Sequence, residues 1–117
     1  MEKLIEINSS NYPELYNEKI DKFVLVNSDK DILGLITIDD SKLCNKIKIN
    51  VMEEFQGNGY GKYIFMKAIE QYKAKYNDEN LKFEIKDESR LNSILCELGG
   101  INIANNNGIL KYVLPLN

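Results

Sequence analysis

The chain contains no histidine, has only two cysteines, and shows no Gly/Ser/Pro-rich linker. Without histidine there is no Ser-His-Asp triad, no Cys-His nucleophile pair and no His-ligated metal. Cys44 and Cys96 are too few for a cysteine-only zinc site. Their separation has no framework spacing, so a reduced, cytosolic pair is expected. No run approaches the ~20 apolar residues of a membrane span. The start, Met1-Glu2-Lys3-Leu4-Ile5, is too short and too acidic for a signal peptide, so the expected location is cytoplasmic. Positive charge is not in excess either: 15 Lys+Arg against 18 Asp+Glu leave a net charge of −3. That balance argues against a nucleic-acid partner, whose footprint needs a clustered basic face.

What remains is an ordinary globular composition, 44% hydrophobic and 28% charged over 117 residues. A chain of this size forms one domain, here residues 1–117, and buries about two-thirds of its unfolded surface. Lys3 to Ile7 reads as a short strand. Ser9-Ser10-Asn11 and Pro13 suit a helix start, which predicts a brief helix from Tyr12 to Lys19. Phe23 to Val26 and Ile32 to Ile38 flank a polar turn and read as a hairpin. Lys46 to Val51 alternates as a half-buried strand. Tyr60, Ile64, Ala68, Tyr72 and Tyr76, widened by Phe65 and Ile69, form a helical stripe. Leu81, Phe83 and Ile85 alternate with charges in a further strand. Leu91, Ile94, Leu95 and Leu98 mark a second amphipathic helix, stopped by Gly99-Gly100. Two last strands flank the turn at 105–108. The order predicts a mixed α+β domain of about seven strands and three helices.

The informative segment is Val51-Met52-Glu53-Glu54-Phe55-Gln56-Gly57-Asn58-Gly59-Tyr60-Gly61-Lys62, where a strand runs through a glycine-rich turn into a helix. Glycines let backbone N–H groups approach a ligand closely, and a helix start adds N–H groups and partial positive charge. The combination suits phosphate or pyrophosphate. The dinucleotide fingerprint fails at its third glycine, and the P-loop fails because Lys62 is followed by Tyr63. Gln56-Gly57-Asn58-Gly59-Tyr60-Gly61 does fit the pattern Gln/Arg-x-x-Gly-x-Gly/Ala.

On these residues, and on the strand–helix order around them, the sequence resembles the GNAT superfamily of acyl-CoA-dependent N-acetyltransferases over nearly the whole chain. The resemblance implies a central, mostly antiparallel sheet. The family's second helix is missing here, because the first two strands lie close in sequence. It also implies acetyl-CoA as cosubstrate and no metal. The main chain at Val51 and Glu53 would pair with the pantetheine arm. Amides of Gln56, Gly57, Asn58, Gly59, Tyr60 and Gly61, with Lys62 nearby, would hold the pyrophosphate.

The family's second motif is matched only in part. Leu98-Gly99 fits the Leu-Gly pair, but the usual tyrosine position holds Leu95, the usual Asn is Glu88, and the usual aromatic is Gly100. Leu95 reads as core and Cys96 as a buried or half-buried small side chain. Glu84, on the polar face of its strand, is the candidate general base, with Glu53 and Glu54 as alternatives. Tyr112 could donate a proton but reads first as packing. The expected function is acetyl transfer from acetyl-CoA to a primary amine, an open acceptor side favouring a lysine or peptide amine over a small molecule. The alternative is a non-catalytic CoA- or acyl-CoA-binding regulatory module. Partners are then an amine-bearing acceptor, no nucleic acid and no membrane, with a homodimer left open.

Overall fold

The computed structural model describes residues 2–116. Seven strands and two α-helices follow one another as β1 (Lys3–Glu6), β2 (Asp21–Val26), β3 (Ile32–Ile38), β4 (Ile47–Val51), α1 (Tyr60–Lys75), β5 (Asn80–Lys86), α2 (Leu91–Glu97), β6 (Ile101–Asn106) and β7 (Ile109–Pro115). The strands form two antiparallel sheets, ordered β1-β2-β3-β4 and β5-β7-β6. The chain divides into two compact units, one holding the segments up to Asp40 and Ile47–Tyr72, the other Ser41–Lys46 and the chain from Lys73 onward.

In the first unit, register places Phe23 opposite Ile36 and Leu25 opposite Gly34, while Gly34, Ile36 and Ile38 face Val51, Ile49 and Ile47 on β4. These residues share one face of the sheet. A Cβ added to Gly34 would collide with Cδ1 of Ile64 on α1 and stand 2.9 Å from the Asn50 carbonyl oxygen. The absent side chain therefore lets α1 lie close against β3. The helix buries Ile64, Phe65, Ala68 and Tyr72, the i, i+4, i+8 row and its neighbour that its periodicity predicts. The Tyr72 hydroxyl is 3.5 Å from Oδ1 of Asp40.

The opposite sheet face carries a smaller cluster, Ile7, Val24 and Val26, packed with Tyr12, Leu15, Ile32 and Leu35. Tyr12 and Leu15 belong to the segment expected to be a helix from Tyr12 to Lys19. No helix forms there, so two α-helices replace the expected three. Asparagine side chains take the backbone first. Asn8 Oδ1 accepts the N–H groups of Ser10 and Asn11, Asn11 Oδ1 accepts that of Asn8, and Asn17 Oδ1 accepts that of Lys19. Within the segment, bonds from Leu15 to Tyr12 and from Tyr16 to Pro13 close single i−3 turns. Local side-chain bonds compete with helix in this way, and so short a stretch cannot offset the cost of nucleation.

In the second unit, β5 alternates without exception, burying Leu81, Phe83 and Ile85 and exposing the residues between. β7 buries Leu110, Tyr112 and Leu114 on the same face. Helix α2 closes with Gly99 at φ 93, the Gly99 N–H bonded to the Cys96 carbonyl and the Gly100 N–H to the Leu95 carbonyl. These two bonds are the Schellman arrangement expected of the Gly99-Gly100 stop. The β6–β7 hairpin turns through Asn107 (φ 54) and Gly108 (φ 83), a type I′ geometry.

Candidate functional site

The glycine turn lies in the first unit. After β4 a single 3-10 turn, Glu53–Phe55, reverses the chain, and α1 starts at Tyr60. Gly57 and Gly59 hold φ values of 85 and 80, and an added Cβ would meet nothing within 4 Å at either position. Left-handed backbone explains glycine at both places, and the open space around them leaves the main chain accessible to a ligand. The turn is braced by its own side chains. Gln56 Nε2 donates to the Val51 carbonyl at 3.1 Å, and Asn58 Nδ2 donates to the Phe55 carbonyl at 3.3 Å. Phe55 and Tyr60 meet edge to face, centroids 6.3 Å apart. Gln56, Asn58 and Lys62 are exposed, and Tyr60 is half-buried. The first N–H groups of α1 have no acceptor within their own helix, as at any helix start.

β4 is an edge strand of its sheet. The Met52 N–H bonds the Leu33 carbonyl, so antiparallel alternation turns the main-chain groups of Val51 away from β3. Its carbonyl already receives Gln56 Nε2, and the Glu53 carbonyl receives the Gln56 N–H at 3.2 Å. Gln56 therefore ties the turn to the residues expected to meet the pantetheine arm. Glu53 and Glu54 are exposed carboxylates. Beside them, a cleft of about 460 Å³ is lined by Leu15, Val24, Leu35 and Met52, with Asp31, Lys30 and Glu54 among its polar groups.

Glu84 belongs to the second unit. It is exposed on β5, its Oε1 lying 3.8 Å from Lys111 Nζ on β7 and 3.8 Å from the Cys44 sulfur. Asn45, at φ 57, grips its main chain: Nδ2 donates to the Glu84 carbonyl at 3.0 Å, and Oδ1 accepts the Glu84 N–H at 3.1 Å. Lys111 was within reach of the sequence, since pairing of the last strand with the fifth sets it opposite Glu84. Asn45 gave no signal, because it sits in an irregular segment 39 residues away.

Leu95 is fully buried, as its reading as core required. Cys96 corrects an expectation, being exposed rather than buried or half-buried. Adjacent helical positions point about 100° apart, so a buried Leu95 turns Cys96 outward. Tyr112 is buried, as expected of a packing residue. Its hydroxyl donates a short hydrogen bond to Asn92 Oδ1 and lies 3.4 Å from the Cys96 sulfur. The Cys96 contact, then burial, raise the phenol pKa above its ordinary value of 10.0. Tyr112 therefore stays protonated at neutral pH. Among the described residues, no cluster of three or more Cys, Asp or Glu could hold a metal, and no helix is long and apolar enough to cross a membrane.

No protein-family model matches the sequence, and no curated protein sequence matches it. Solved structures do. A mutant form of the spermidine/spermine N-acetyltransferase SpeG from Vibrio cholerae superposes with a TM-score of 0.74 at 13% identity, covering 99% of this chain and 95% of that one. A dodecameric structure of spermidine N-acetyltransferase from the same organism gives 0.74 at 12% identity, covering 98% and 94%. A complex of SpeG with manganese ions gives 0.72 at 13% identity, covering 98% and 92%. The likeness establishes a GNAT-like fold, as the sequence resemblance implied.

Proposed function

We propose that this chain is an N-acetyltransferase that moves an acetyl group from acetyl-CoA to a primary amine. The observation that carries the reading is the turn at Gln56–Gly61: left-handed Gly57 and Gly59, open space where side chains would stand, and a helix start immediately after. A pyrophosphate fits there because main-chain N–H donors and the helix dipole suit an anion. Amides of Gly57 to Gly61 would hold it, with Lys62 as the added cation; the Gln56 N–H expected to join them is already given to the Glu53 carbonyl. Val51 and Glu53 would offer main-chain groups to the pantetheine arm.

Acetyl-CoA supplies an activated acyl group, so the protein must orient the amine and keep it neutral. Glu84 would take the amine proton. The net charge of −3, and the carboxylates of Asp31 and Glu54 in the cleft, suit a cationic acceptor. The structural neighbours named as spermidine N-acetyltransferases make a polyamine the first acceptor to test, ahead of a lysine peptide.

Calorimetry with CoA tests binding. Thiol release from acetyl-CoA with spermidine and with lysine peptides tests turnover. Glu84→Gln should lower turnover by about 10²–10⁴-fold and leave CoA affinity unchanged; undiminished turnover would remove Glu84 as the base. A second reading, a non-catalytic CoA-binding module, is favoured by buried Leu95 at the usual tyrosine position. It predicts the same calorimetric signal without amine-dependent thiol release.

A further inference from the structure

The cleft of the first unit has an apolar floor and a charged rim. Leu15, Val24, Ile32 and Leu35 line the floor, and all four belong to the smaller cluster on the opposite sheet face. Met52 completes it. None of these five side chains can pair with an ammonium group, so a cation laid on the floor would give up its hydration without compensation.

The rim carries Asp31, Glu54 and Lys30, all exposed. Two carboxylates against one ammonium leave it a single net negative charge. Asp31 is held in place: Asn27 Oδ1 accepts its N–H at 2.9 Å, and Asn27 Nδ2 lies 3.3 Å from its Oδ2. That donor is a neutral amide, so the carboxylate keeps its charge for a ligand. Met52 and Glu54 alternate along the chain with Val51 and Glu53, whose main chain is proposed to meet the pantetheine arm. A molecule in the cleft would lie beside that arm.

We propose that the acceptor bound in this cleft is a primary amine with a single cationic group on an apolar body, its ammonium drawn to Asp31 and Glu54 and its hydrocarbon laid on the floor. The proposal rests on the acetyltransferase reading and narrows its acceptor. The rim offsets one cation; a second ammonium further along the same molecule meets the floor or Lys30. In the transfer, the ammonium gives one proton to the base, and its nitrogen bonds the acetyl carbonyl carbon. The carbon–sulfur bond breaks, and a second nitrogen-borne proton ends on the departing sulfur, giving the amide and the CoA thiol. Apolar surroundings favour the neutral amine that this step needs.

Turnover of 2-phenylethylamine, with one cation, should exceed that of spermidine, with three, by about tenfold or more in kcat/KM at equal ionic strength. Asp31→Asn combined with Glu54→Gln should raise KM for 2-phenylethylamine about tenfold, the loss falling on KM rather than on kcat. Lys30→Gln, which removes the opposing charge, should narrow the gap between the two amines. Calorimetry, with and without CoA, reads the cleft apart from chemistry. There 2-phenylethylamine should bind, its uncharged analogue 2-phenylethanol should not compete, and the double substitution should weaken the amine about tenfold. Spermidine turned over as well as 2-phenylethylamine, or better, would overturn the proposal and leave the acetyltransferase reading standing. So would a double variant that loses kcat at unchanged KM, or one that alters neither. If no amine is acetylated, the acetyltransferase reading fails, and the calorimetric titration alone decides whether the cleft takes the amine. The ranking of the two amines needs no variant.

Discussion

In the first unit the groups proposed to meet the pyrophosphate are main-chain amides, and the sequence has only to place glycine at 57 and 59 for the backbone to present them. In the second unit the candidates are side chains: Glu84 beside Lys111 and Cys44, and Tyr112 beside Asn92 and Cys96. The two kinds of site tolerate sequence change differently. An amide cradle survives replacement of nearly every neighbouring side chain, provided the turn keeps its left-handed residues. A side-chain site is altered by one substitution. Leu95, buried where the resembled family carries tyrosine, is such a change. The proposed anion binding and the proposed proton transfer therefore rest on parts of the molecule with different freedom to vary.

Six substitutions would break or sharpen that contrast. The largest effect is expected at Leu95. Leu95→Ala removes a fully buried side chain and should cost about 2–5 kcal/mol, read as a lower denaturant midpoint. Leu95→Tyr should also destabilise and should not raise turnover, because the position faces the core; a gain in turnover would break the contrast. Next, Gly59→Glu places a carboxylate at the turn and should abolish stabilisation by CoA, about 2.7 kcal/mol at 100 times Kd. At φ 80 the new side chain costs about 1–2 kcal/mol of backbone strain, but nothing crowds the position, so the uncomplexed protein should remain folded. Gly34→Ala should cost about 1–3 kcal/mol by overpacking, measured by thermal unfolding.

The smallest effect is at Tyr112. Its phenol should ionise above 10.0, in a step isolated by subtracting the ultraviolet titration of Tyr112→Phe. Cys96→Ala should move that step downward. Because the folded-state pKa is raised, its stabilising contribution is complete below about pH 10 and falls away as pH rises through the folded value. Tyr112→Phe should remove that alkaline loss.

The strands and both helices were legible because their periodicities are long and uninterrupted. β5 alternates over its whole length, and α1 repeats its apolar row over four turns. The turn at Gln56–Gly61 was legible because glycine is read directly as backbone conformation. The segment from Tyr12 to Lys19 misled, since capping residues and proline signal a helix start without ensuring a helix. Asparagine side chains satisfy the backbone just ahead of it, at 8–11, and at its end, at Lys19, and Tyr12 and Leu15 serve the core from single turns. The Asn45 clamp on Glu84 and the Asn92 bond to Tyr112 were not legible. Each joins residues far apart in sequence through one amide group, with no periodicity to announce it. Cys96 was misplaced because a single step of about 100° around the helix decides which neighbour is buried.

Gly34 governs more than its own strand. The side chain it lacks would touch Asn50, immediately ahead of the last β4 residue, and Ile64, one turn into α1. Both arms of the strand–turn–helix are thus gauged against one hydrogen atom. A methyl group there would widen the gap between them and re-aim every amide at the helix mouth, without altering any residue of the turn. Ligand affinity in this chain should therefore respond to a substitution on a strand that carries none of the proposed contacts.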